Sequence, residues 1–426
     1  MCRVMQCSDA MAAEGDTYAC AAVVVGSLLQ DSRPARKIWT EDWLLKRDVL
    51  GSYATLQKEL RLSSKLFNKY LRMPVETYEY ILSKISPIIR KEQTNMRNPI
   101  SPGARLEATL LFLLSGMSYS RLAYVTRIHE NTLGKIIPEV CDAIYMAMRE
   151  EFVKTPTTET EWLKVSKGFE HRWQFPNCLG AVDGKHVQIV PPPHSGSYYY
   201  NYKGNHSIVL MAVANSDYEV IYADIGGNGR VSDGGIWGDC TLKNGIENGT
   251  VGLPGPKNLP NSTRLLPHAF VGDEAFPLKK YLLKPFPHRN QTDEQRIFSY
   301  RLSRARRIIE NVFGIMTMRF RILQNPINLH PKKVQKVVLA IVTLHNILRK
   351  LSVDEYQPPG SVDRENVGSG NIASGSWRSN QVMDGLESSS HHNNASEEAK
   401  QTRVQYMRYF LHEGAVPWQK RMVGLE

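Results

Sequence analysis

Four carboxylates, Asp183, Asp233, Asp273 and Glu310, stand in four different local contexts, and in three of them a charge is expensive. Asp183 interrupts the apolar run Cys178-Leu179-Gly180-Ala181-Val182-Asp183-Gly184-Lys185-His186-Val187-Gln188-Ile189-Val190, which otherwise reads as a buried strand. Asp273 ends the short run Ala269-Phe270-Val271-Gly272, and Glu310 falls in the apolar stripe of an Arg-rich helical pattern. An ionised carboxylate taken out of water costs several kcal/mol unless a positive charge compensates it. Converging carboxylates repel, and a hard divalent cation that takes oxygen ligands is the natural compensator. The chemistry these residues imply is phosphoryl transfer dependent on Mg²⁺ or Mn²⁺. Without the ion, the expected cost of such a site is mutual repulsion.

The chain of 426 residues has room for two or three domains. Its net charge of +11 favours a polyanionic partner such as DNA. The six cysteines (Cys2, Cys7, Cys20, Cys141, Cys178, Cys240) show neither Cys-x-x-Cys nor zinc spacing, so they read as reduced thiols of a nuclear or cytosolic protein. Ala19 to Leu29 is apolar but much shorter than the roughly 20 residues that span a bilayer. Glu14 and Asp16 precede it, the wrong flank for a signal peptide, and no membrane role is expected.

The elements that must position the carboxylates follow from periodicity. Residues 1–35 look weakly ordered. Residues 36–150 form a helical region: Ser101-Pro102 opens a helix that Gly116 stops, then Ser120 to Val125 and a segment from His129 make two helices joined by a tight turn, a helix-turn-helix arrangement. From Trp173 the pattern turns to strands, with the Asp183 run followed by His206 to Ala214, an Asn215-Ser216-Asp217 turn and Tyr218 to Ile225. Asn244 to Pro267 reads as a Gly/Pro-rich loop, and helices are expected from Glu294 to about Arg321 and from Pro331 to Lys350. Residues 357–399, rich in Ser, Gly and Asn, read as a disordered linker dispensable for folding, and residues 400–426 as a C-terminal docking helix.

A strand carrying one Asp, a later strand ending in another, and a helix presenting a Glu suggest an α/β fold with an RNase H-like mixed sheet flanked by helices, spanning residues 170–350. Four ordered blocks carry a family resemblance: Gly180-Ala181-Val182-Asp183-Gly184-Lys185-His186, Gly229-Arg230-Val231-Ser232-Asp233-Gly234-Gly235, Val271-Gly272-Asp273-Glu274-Ala275-Phe276-Pro277-Leu278, and Arg301 through Gly314. They resemble the successive blocks of PIF/Harbinger-type DDE transposases and the nucleases derived from them, over roughly residues 70–350. The resemblance implies that Asp183, Asp273 and Glu310 are the catalytic triad, with Asp233 a fourth acidic residue at the metal site. It also implies a nuclear protein that acts with a Myb/SANT-like DNA-binding partner. Related bacterial enzymes place a Tyr, an Arg and a Lys around the Glu. Here Arg306 is in register, while Ser303 and Thr317 replace the other two.

The leading reading is therefore a hydrolase of DNA phosphodiester bonds, a DDE nuclease or transposase using two metal ions. Lys185, His186, Lys203, Arg304, Arg306 and Arg307 are its candidate DNA contacts, and a homodimer is compatible with it. The aromatic loop Tyr198-Tyr199-Tyr200-Asn201-Tyr202-Lys203 could stack on unpaired bases. His345-Asn346 reads as a satisfied interior pair. The alternative is a domesticated, non-catalytic nuclear protein that binds DNA or chromatin; an intact carboxylate set argues for the enzyme.

Overall fold

The computed structural model describes residues 40–93, 98–229, 233–369, 371–379, 383–385 and 395–426, with side chains of Asp233 and Gly234 left aside. The expectations for residues 1–35 and for Ala19 to Leu29 lie outside the described residues. The chain divides into two units, Met1–Lys46 and Arg47–Glu426. The first contributes the short helix Asp42–Leu45; everything below concerns the second.

A mixed sheet forms the centre of that unit. Strands β1 (Cys178–Gln188), β2 (Ser207–Ala214) and β3 (Val220–Asn228) make an antiparallel meander. The β2–β3 reversal is an Asx turn: Asn215 Oδ1 accepts from the backbone N–H of Asp217 at 2.9 Å and of Glu219 at 3.0 Å. After two short helices, α1 (Asp233–Asp239) and α2 (Thr241–Glu247), and a small ribbon pairing β4 (Lys257–Asn258) with β5 (Leu265–Leu266), the chain returns to the sheet. Strand β6 (Ala269–Val271) runs parallel to β1, and β7 (Leu282–Leu283) parallel to β6, giving the order β3-β2-β1-β6-β7 with β1 in the middle. Every residue of β2 is buried, so helices cover both faces of the sheet.

On one face lie Val182, Met211 and Val213 with Trp162, Trp237 and Phe270. Against the other packs a helix of 27 residues, α3 (Asp293–Arg319), opened by a capping box between Thr292 and Gln295. A second long helix, α4 (Pro331–Leu351), packs on β3 and is fastened there by Asn346, which donates to the carbonyls of Val220 and Phe152 and accepts from Val220 N–H. His345 beside it bonds Tyr356 Oη and the Tyr218 carbonyl, so both side chains are satisfied inside the core.

Upstream, the helix Pro102–Ser115 ends at Gly116, whose φ of 69° is the left-handed geometry a C-terminal glycine takes without strain. The helices Tyr119–Thr126 and Glu130–Phe152 are joined by a turn with Arg127 at φ 53°. The second runs 23 residues and lies along α4. That packing joins residues 47–150 to the sheet in one compact unit, so the division expected between 36–150 and 170–350 is not a break in packing.

Two expectations are corrected. The Asn244–Pro267 loop is partly regular, carrying the end of α2 and the β4–β5 ribbon. The segment expected to be a disordered linker packs on α3 through residues 361–369 and 371–379: Ser361, Asp363 and Trp377 are buried, and β8 (Arg364–Asn366) pairs with β9 (Asn371–Ala373). Its small apolar content misled because one tryptophan and several buried ion pairs anchor it. Further on, β10 (Asp384–Gly385) adds to β1, and the helix Glu397–Leu411 buries Tyr406 and Phe410 against Phe175.

Candidate active site

Strand periodicity and register decide which side chains meet. In β1, Asp183 and Lys185 share a face because successive side chains alternate, and His186 points to the opposite one. Strand β6 lies parallel to β1 with Ala181 opposite Val271, so Asp183 and Asp273, each two residues further on, leave the sheet at the same level. Helix α3 crosses that face, as Lys185 Nζ lying 5.8 Å from the Phe313 ring centre shows, and it carries Glu310. The three carboxylates thus come from β1, from the residues just past its parallel neighbour β6, and from the helix above them.

Basic side chains are interleaved with these acids. Lys185 Nζ lies 3.0 Å from Asp183 Oδ2, and Arg306 pairs with Glu310 one turn along α3. Burial alone would lower the Lys185 and Arg306 pKa values, yet both are raised. For Lys185 the charges of Asp183 and Glu310 outweigh burial; for Arg306 those of Glu310, Asp183 and Asp273 do. Burial, then the Asp183 charge, pushes the Asp273 carboxyl above the usual carboxylate range. Asp183 Oδ2 is buried, and its close partner is the Lys185 ammonium at 3.0 Å. The donor set is one of hard carboxylate oxygens, the type that Mg²⁺ or Mn²⁺ takes. Among the described residues, however, no group of three or more acidic, His or Cys side chains stands close enough to hold an ion. Beside Asp273 opens a cleft of about 290 Å³ lined also by Glu274, His288, Ser303 and Arg306.

The remaining candidates divide. Asp233 begins α1. Arg304 and Arg307 are engaged elsewhere: both bond Glu365, whose side chain is 7% exposed, and Arg304 also reaches the Trp173 carbonyl. They stand i, i+3 on the face of α3 that meets residues 361–369 and 371–379, so as DNA contacts they are corrected to structural ion pairs. His186, 1% exposed, bonds Ser207 Oγ at 2.8 Å, and burial lowers its pKa to about 4; it too is corrected, being buried on the far face. Lys203 is partly exposed but paired with Asp384 at 2.7 Å.

This arrangement coincides with a recognised sequence family. Residues 182–346 match the family described as "DDE superfamily endonuclease". Over that stretch the chain is similar to DDE superfamily endonucleases. It is 24% identical over 283 residues to "Putative nuclease HARBI1" of Rattus norvegicus, covering 66% of this chain and 76% of that one. It is 24% identical over 269 residues to the Homo sapiens protein of the same name (62% and 72%), and 26% identical over 297 residues to "Protein ALP1-like" of Arabidopsis thaliana (67% and 70%). No solved structure matches the chain. The family's DDE endonuclease domain thus spans the region that carries Asp183, Asp273 and Glu310.

Sequence reasoning missed Arg378, which lies 3.5 Å from Glu310 Oε2 and 2.7 Å from Asp363 Oδ2. The available signal was Trp377, a lone large aromatic residue in a polar stretch. The buried Glu107, which accepts from Ser52 Oγ and Tyr70 Oη, was missed as well.

Proposed function

We propose that the chain is a metal-dependent DNA nuclease of the DDE type, with Asp183, Asp273 and Glu310 as its catalytic carboxylates. The observation that carries this reading is the shared level of Asp183 on β1 and Asp273 two residues past its parallel neighbour β6, with Glu310 on the helix above and Arg306 sensing all three charges. A sheet with three antiparallel strands on one side and two parallel ones on the other supports the RNase H-like description.

DDE endonucleases typically use divalent metal ions, and Asp183, Asp273 and Glu310, with Asp233 as a fourth acid, would hold them. Two bound ions would activate a water or 3′-hydroxyl and stabilise the leaving oxygen of an in-line displacement. Asp183 offers an oxygen whose close partner is the Lys185 ammonium. Lys185 and Arg306, released from their carboxylates, would turn to phosphate oxygens, the anions their geometry suits best. The cleft beside Asp273 leaves room for a strand, and Tyr198, Tyr200 and Tyr202, each about half exposed, would stack on bases. The charge of +11 supports a DNA substrate and a nuclear location, and a Myb/SANT-like partner would add sequence recognition.

A non-catalytic DNA- or chromatin-binding protein is the second reading, favoured by the ion pairs that neutralise Asp183 and Glu310 without any metal. Incubating the chain with supercoiled plasmid and element-end DNA in Mn²⁺ separates the two. Cleavage lost in Asp183→Asn, Asp273→Asn and Glu310→Gln supports the enzyme, whereas tight binding without cleavage supports the alternative.

A further inference from the structure

Residues 361–369 and 371–379, a strap on α3, do more than cover a helix. The block of α3 that carries Glu310 has a second face, Arg307, Asn311 and Gly314 at i, i+4 and i+7, that holds this strap. Arg307 bonds Glu365. Asn311 Oδ1 accepts from Trp377 Nε1 at 2.7 Å and from the Asp363 N–H at 3.1 Å. Gly314 leaves space for the indole, since a Cβ there would stand 2.2 Å from Trp377 Cδ2. The strap is thus fastened to the residue next to Glu310.

What it delivers there is Arg378. One edge of this guanidinium is fixed: Nε and Nη2 donate to the fully buried Asp363 carboxylate at 2.9 Å and 2.7 Å, and the plane lies 4.3 Å from the Trp377 ring centre. The same Nη2 is 3.5 Å from Glu310 Oε2. Asp363 occupies only part of a five-donor fork, and the side chain remains 42% exposed. A guanidinium held rigidly by one edge, with donors left over beside a candidate catalytic carboxylate, is pre-organised to grip a second anion. A purely structural partner for Asp363 would need neither the exposure nor the approach to Glu310.

We propose that Arg378 is a phosphate ligand of the active site, binding a DNA phosphate beside Glu310. The proposal rests on the nuclease reading above. Its chemistry is that of a nucleic acid backbone: a singly charged phosphodiester taking the guanidinium donors that Asp363 leaves unused.

The test uses the full chain, supercoiled plasmid in Mn²⁺ for cleavage, and a short duplex in rising salt for binding. Arg378→Ala should lower kcat/KM roughly tenfold to a hundredfold, as loss of a charged hydrogen bond does. It should also reduce the salt slope of binding by about one, the signature of one lost phosphate contact. Arg378→Lys should restore the slope and part of the rate. Because Arg378→Ala strands Asp363, the double variant Asp363→Asn/Arg378→Ala keeps the test open: it should fold and stay deficient. Wild-type cleavage and slope in Arg378→Ala, or recovery of activity in the double variant, overturns the proposal. If the wild type itself does not cut plasmid, the nuclease reading falls, and the salt slope alone decides Arg378, an unchanged slope or no binding counting against it.

Discussion

Lys185 Nζ lies 3.0 Å from Asp183 Oδ2, two residues along the same strand and on the same face. The pair changes what neutralising Asp183 does. From the sequence, removing one of several crowded acids should relieve repulsion. In the structure, Asp183→Asn instead leaves a buried ammonium without its counter-charge.

We therefore expect Asp183→Asn to destabilise the metal-free protein by about 3 kcal/mol, as breaking one side of a buried pair does. Asp183→Asn/Lys185→Met should recover most of that loss. Urea denaturation of the three proteins checks this; a single variant as stable as wild type would mean that the pair is not compensating.

Mn²⁺ should raise the Tm of the wild type by mass action, contributing about 2.7 kcal/mol at a hundredfold excess over Kd. In Asp183→Asn the shift should shrink, because a neutral amide replaces one of the carboxylates that would hold the ion. Equal shifts in thermal scans of both proteins would place Mn²⁺ binding elsewhere.

Glu107 sets a pH dependence far from that site. Burial pushes its carboxyl from the usual 4.5 up to about 7, although Tyr70 and Ser52 donate to it. A carboxyl raised in the folded state favours folding while protonated, so its stabilisation is complete below about 4.5 and is lost as pH rises through about 7. The loss between those limits should be on the order of 3 kcal/mol. Glu107→Gln should flatten stability against pH across this window. A wild type whose stability does not fall between pH 5 and pH 8 (roughly the window of linkage) would contradict the assignment.

Trp377→Ala should cost about 3–5 kcal/mol, the range for emptying a buried aromatic site, and leave Asn311 Oδ1 with one donor fewer. Gly314→Ala should act in the same direction, because its methyl group meets the indole. Deleting residues 361–379 should lower the Tm sharply; an unchanged Tm would restore the view that this segment is a dispensable linker.

The sequence by itself determined the elements and the order of the chemistry. The apolar run around Asp183, the Asn215-Ser216-Asp217 turn, Gly116 and the Pro331 helix start are local signals, written in side-chain alternation, turn chemistry and backbone freedom. Only the tertiary structure decided which charges face which. The parity of β1 separates Lys185 from its neighbour His186, and the register of β6 brings Asp273 level with Asp183. The strap engages Arg304 and Arg307 in ion pairs with Glu365 while bringing Arg378 to Glu310. These outcomes depend on pairings more than fifty residues apart, such as Arg307 with Glu365. Local pattern carries no record of them, because a buried salt bridge and a solvated charge are spelled with the same residues.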